Sequence, residues 1–140
     1  MEFLQVLVPV GGTEADSEAI KLACRLAKPD KGKINAIYVI RVKRTLPLDI
    51  EIEPEIQKSE GILNNIECIA NDNGCRIETE VLQARDVGPA IVDEAVDKNA
   101  NLIVMNTANQ WPLGEFSLGE VVPYVLKNAP CRVILYHQSI

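Results

Sequence analysis

The residues of this chain best suited to covalent or metal chemistry are four cysteines and one histidine, and their spacing favours neither. Cys24, Cys68, Cys75 and Cys131 form no C-x-x-C pair, and His137 stands alone, so a zinc site is not expected. Cys24 falls in an apolar helical stripe, while Cys75 and Cys131 open strands. All three read as buried, unreactive thiols. Cys68 differs. If Ile62, Leu63, Ile66, Ile69 and Ala70 form the core face of a helix, Cys68 points nearly opposite it. His137 follows the last strand with no second ligand or carboxylate beside it, which gives no basis for a catalytic or metal role.

Three other groups could hold a ligand. Gly11-Gly12-Thr13 is a glycine-rich turn entering a helix, where backbone N–H groups can cradle an anion. No Walker lysine follows, so a P-loop is excluded. A strand-to-helix turn that needs small residues explains the same triplet. Arg85-Asp86 reads as a surface cation and a helix cap, with anion binding by Arg85 near the strand ends as the alternative. Trp111 and Phe116, flanking Pro112 and Gly114, read as lid or interface aromatics before base-stacking ones. No nucleophile–base pair or cluster of metal ligands is visible, and no residue is assigned a catalytic role.

The elements that must position these residues alternate strand and helix five times. Residues 3–10 are almost continuously apolar, as a central parallel strand covered on both faces would be. A helix over 14–28 follows, with Ala19, Ile20, Ala23, Leu26 and Ala27 at helical spacing. Thr13 and Asp16 resemble a capping box with a short acid. After a strand over 34–42, an acidic connection carries Glu51, Glu53, Glu55 and Glu60, read as a solvated loop and first helical turn. A helix over 54–73 ends at Gly74, placed to be its left-handed terminal residue. The strand over 75–83 alternates Arg76, Glu78 and Glu80 with Ile77, Thr79 and Val81, the pattern of an edge strand wet on one face. A helix from Asp86 to Lys98, a short buried strand over 102–105, a helix over 117–128 and a strand over 131–136 complete the series.

Strands joined by helices in this way cross over right-handedly and cover both faces of one sheet. With the first and fourth strands the most apolar, the predicted fold is α/β. It is a single doubly wound five-stranded parallel sheet in order 3-2-1-4-5, occupying residues 1–140 as one domain. Ligands of such sheets bind beyond the carboxyl ends of the strands where connections diverge, which places residues 10–13 and 105–109 at the mouth. Composition limits the partners. Of 140 residues, 47% are apolar, enough for a full core, and the net charge of −6 repels a phosphate backbone, so nucleic acid is not an expected partner. No apolar run reaches the length of a membrane span and no signal-peptide pattern opens the chain, so a cytoplasmic domain is expected.

These segments also resemble the universal stress protein family. The run Val6-Leu7-Val8-Pro9-Val10-Gly11-Gly12-Thr13-Glu14 is similar to the family's opening strand and turn. The run Asn101-Leu102-Ile103-Val104-Met105 is similar to its fourth strand. Ala90-Ile91-Val92-Asp93-Glu94-Ala95 fits the helix between, and the stretch from Tyr124 to Val133 resembles the closing helix and strand. Members of the family that bind ATP carry an acid after the first strand and a Gly-x2-Gly-x9-Gly-Ser/Thr motif after the fourth. Those positions here are Gly11, then Asn106, Asn109, Gly119 and Glu120. The spacing is intact and one glycine of three remains.

The resemblance maps candidate nucleotide contacts onto Gly11, Val39, Met105, Asn106, Asn109, Gly119, Glu120 and Val121. Gly11 cannot accept ribose hydroxyls. Asn106 and Asn109 can adopt left-handed backbone but put side chains where phosphate oxygens would sit. Glu120, expected in the first turn of the last helix, would satisfy that helix end internally and repel a triphosphate. The resemblance therefore implies a regulatory or interaction domain with weak or absent ATP binding and no cofactor, or else an adenine-nucleotide sensor with a remodelled phosphate loop. It further implies a homodimer through the last strand, whose Val133, Ile134, Leu135 and Tyr136 leave an apolar edge. A protein partner or a transporter context also fits the resemblance.

Overall fold

A computed structural model describes residues 2–107 and 120–137. The parallel strands are β1 (Gln5–Pro9), β2 (Lys33–Arg41), β3 (Arg76–Ala84), β4 (Leu102–Asn106) and β5 (Arg132–Tyr136), in the order β3-β2-β1-β4-β5 that the sequence predicts. The helices are α1 (Glu14–Ala27), α2 (Glu53–Asp72), α3 (Val87–Asp97) and α4 (Val121–Asn128). A short 3-10 turn, Lys28–Asp30, carries Pro29 and closes α1.

The period-2 alternation of the strands sorts their side chains into two cores. Val6, Val8, Ile34, Ala36, Leu102 and Val104 point to one face and pack with Ala19, Ile20 and Ala23 of α1 and Leu63, Ile66 and Ala70 of α2. Leu7, Ile37, Ile103 and Met105 point to the other and pack with Ile91, Val92 and Ala95 of α3 and Val122 and Val125 of α4. A one-residue slip of β1 would exchange the two sets, so both cores fix its register. Cys68 is exposed on the far side of α2, as its helical position predicts. Gly74 has φ +71 and ends α2, with the Cys75 N–H donating to the Ala70 carbonyl at 3.0 Å.

Two features bear on the crevice. Strands β1 and β4 pair at Val6↔Leu102 and Leu7↔Ile103, and β1 then diverges while β4 continues beside β5 to Asn106↔Tyr136. The connection from β2 to α2 is tied to the end of β3. Gln83 Nε2 donates to the carbonyls of Leu48 (2.9 Å) and Ile50 (2.7 Å), and Arg85 Nη1 donates to those of Lys43 and Leu46.

Candidate nucleotide crevice

The crevice is built from the turn that follows β1. Val10 is still held by the sheet, its N–H donating to the Ile37 carbonyl at 2.9 Å. Gly12 then takes φ +90, a left-handed conformation that a side chain resists, and a Cβ there would come within 2.8 Å of Ile62 Cδ1. This bend makes three consecutive N–H groups converge, an arrangement that binds anions.

The anion is already present. The carboxylate of Asp16, 2% exposed in the first turn of α1, accepts from all three N–H groups. Gly11 N lies 3.2 Å from each oxygen, while Gly12 N and Thr13 N lie 2.7 and 3.1 Å from Oδ2. Across the gap left by the divergence of β1 from β4, Asn106 Nδ2 donates to Asp16 Oδ1 at 2.8 Å. The acid half of the expected capping box thus forms and extends over the whole turn. The Thr13 hydroxyl is buried with no partner among the described residues.

Other expected site residues fall into two groups. Val39, Met105 and Val121 share the core on the α3–α4 side. Glu120 and Val121 line a cleft of about 290 Å³ that opens between the starts of α3 and α4, with Arg41, Asp86, Gly88 and Tyr124 as neighbours. Gly11 and Asn106 meet on Asp16. Asn109, Gly119, Trp111 and Phe116 lie outside the described residues.

Several expectations are corrected. Glu120 is the residue before α4, not within its first turn, and its side chain makes no capping bond. Glutamate reaches past the nearby N–H groups that shorter Asp, Asn, Ser and Thr side chains satisfy at this position. Asp86 precedes α3 with extended backbone, yet its carboxylate pairs with Arg44 Nη2 at 3.1 Å instead of capping. Arg85 Nη1 donates to the loop carbonyls of Lys43 and Leu46, a contact the sequence reading did not assign to it. His137 Nδ1 lies 3.0 Å from the hydroxyl of Thr107, which is 2% exposed, a contact between the ends of β4 and β5 that the sequence reading missed.

The family profile described as "Universal stress protein family" matches residues 2–137. The chain belongs to the universal stress protein family. A universal stress protein of Methanocaldococcus jannaschii is 33% identical over 139 residues, covering 95% of this chain and 81% of that one. A universal stress protein of Archaeoglobus fulgidus superposes with a TM-score of 0.78 at 21% identity, covering 95% and 98% of the two chains. A third universal stress protein, solved in complex with cAMP, gives 0.76 at 19% identity over 99% and 100%. These two structures share the fold. Among the described residues no helix is long and apolar enough to cross a membrane.

Proposed function

We propose that this universal stress protein is a non-catalytic regulatory and interaction domain that binds ATP weakly or not at all. The observation that carries this reading is the Asp16 carboxylate, which occupies the N–H groups of residues 11–13 and holds Asn106 across the gap. A phosphate entering there meets a resident negative charge and no free donor on that turn. Glu120 adds less. It is exposed, and unit charges 4 Å apart repel by about 4 kcal/mol at an effective dielectric of 20 but only about 1 in water. The occupied turn therefore outweighs the helix-end acid as the obstacle.

The last strand supports the dimer reading. Among the described residues β5 is an edge strand whose Val133, Ile134, Leu135 and Tyr136 are all half-buried, leaving apolar surface beside backbone groups with no partner among those residues. A two-fold pairing of β5 with its copy would cover both.

A second reading, an adenine-nucleotide sensor, draws on the cleft beside Arg41 and Val121 and on the relative solved with cAMP. A monophosphate needs fewer anion donors than a triphosphate. Calorimetry separates the two. No heat with Mg-ATP, AMP or cAMP is expected under the first reading, whereas micromolar binding of AMP or cAMP would replace it with the second. A variant combining Gly11→Asp, Asn106→Gly, Asn109→Gly and Glu120→Ser is expected to gain ATP affinity. A folded variant without that gain would overturn the account of why the site is silent.

A further inference from the structure

Helix α3 leaves its face of β3 thinly covered. It turns Ile91, Val92 and Ala95 onto Leu7, Ile37 and Ile103, and β3 adds Leu82 to that core. The stripe of α3 beside β3 reads Ala90, Asp93, Glu94 and Asp97, and with Glu80 these residues line a hollow of about 340 Å³ whose charged lining is entirely acidic. A second hollow of about 190 Å³ shares Glu80 and extends to Asn35 and Lys98. The acids oppose the helix that carries them. Asp93 and Asp97 are like charges one turn apart, and Asp97 ends α3, where the carbonyl groups are already negative and the last turn holds no basic residue. Lys98 Nζ lies 3.8 Å from Glu80 Oε2, and Lys33 Nζ lies 3.0 Å from Glu78 Oε1. No ion pair reaches Asp93, Glu94 or Asp97 among the described residues.

Each hollow also contains a buried acceptor without a donor. Glu94 is 8% exposed, and among the described residues no N–H or hydroxyl donates to its carboxylate. Burial first and the Glu80 carboxylate next push its carboxyl upward, against Lys98, as expected for an acid short of positive charge. Asn35 is 3% exposed. Its Nδ2 donates to Gln5 Oε1 at 3.2 Å, and its Oδ1 has no partner among the described residues. Asn35 pairs with Glu78 and Ile37 with Glu80, so Asn35 lies about 6.6 Å along the strands from the level of Glu80. We propose that this groove binds a linear polyamine, with one ammonium group on Glu94 beneath a rim of Asp93 and Asp97, and the next passing Glu80 toward Asn35. An ammonium group brings N–H donors together with its charge. The slender alkyl chain lies on Leu82, Ala84 and Ala90, and amines one butyl arm apart match the spacing of the two levels. A compact dication fits less well, because no group of three or more metal-ligating side chains forms among the described residues.

Spermidine is the probe, titrated into the whole chain by calorimetry at moderate salt. It should bind saturably, whereas n-butylamine and Mg²⁺ at equal charge concentration should give no saturable heat. Glu94→Gln should weaken spermidine binding about thirtyfold. That variant gains stability at pH 7, so a damaged fold cannot account for the loss. Asn35→Ala should bring spermidine down to the affinity of putrescine while leaving putrescine unchanged. Replacing the exposed Asp93 and Asp97 together by Asn should weaken binding about fivefold, more at low salt than at high, while Glu60→Gln on the exposed side of α2 should have no effect. Circular dichroism establishes that each variant is folded. Equal heats from Mg²⁺ and spermidine, or undiminished binding by Glu94→Gln, would overturn the proposal. A lysine-rich peptide that binds where spermidine does not would also overturn it, in favour of a protein partner.

Discussion

Replacing Asp16 by Ala tests whether an internal anion holds the crevice shut. The substitution removes the acceptor for three N–H groups and one amide at 2.7–3.2 Å. Hydrogen bonds to a charged group contribute about 1.5–3 kcal/mol each, so a simple sum would exceed 6. Two effects reduce it. Gly11 and Gly12 are exposed, so water can replace the carboxylate there, and burying a charge costs several kcal/mol that the variant recovers. The net loss expected is about 2–4 kcal/mol, or roughly 5–15 °C in Tm for a domain of this size. Denaturant unfolding measures the loss, and sulfate provides the decisive comparison. If the vacated turn takes sulfate with a Kd of about 1 mM, ~20 mM sulfate restores about 1.8 kcal/mol to the variant. Wild type should gain only the smaller general effect of an excluded salt. A loss below about 0.5 kcal/mol, or equal gains for both proteins, would refute the reasoning.

Other substitutions probe neighbouring parts of the same argument. Gly12→Ala should cost about 1–3 kcal/mol in thermal unfolding, mainly from its φ of +90, since the Ile62 methyl it meets can move aside. Arg85→Ala should release the segment from Lys43 to Leu46, seen as faster limited proteolysis there, with a stability loss of about 1–2 kcal/mol. Glu94, 8% exposed, has its carboxyl pushed above the ordinary 4.5 by burial first and by the Glu80 carboxylate next, with Asp97 adding to the rise and Lys98 opposing it. The folded state therefore binds this proton more tightly than the unfolded chain, and stability should fall as pH rises from 4.5 through the raised value. Glu94→Gln should raise Tm at pH 7 and lose its advantage below pH 4.5.

The architecture was legible because its signals are repeated. Five apolar strands, alternation on β3, and the stop at Gly74 all act locally, and their order leaves one sensible topology. The crevice was only half legible. Position 11 and the Asn106–Glu120 spacing pointed to it, but the obstacle was assigned to Glu120. Asp16 was the better signal. It is an acid at a core-facing position of α1, flanked by Ala15 and Ala19, where burial requires strong partners. The residues that partner it come from the turn after β1 and the end of β4, and Asn106 is distant in sequence, so only the fold could reveal the full set.

The parting of β1 from β4 after Leu7 and Ile103 has a mechanical consequence. It leaves the sheet as two leaves stitched by few rungs, β3-β2-β1 on one side and β4-β5 on the other. Past those rungs, a carboxylate-to-amide strap, Asp16 to Asn106, spans the seam. Any molecule that wedges into the seam must first unfasten that strap, and a strain that pulls on β5 would be felt at the start of α1.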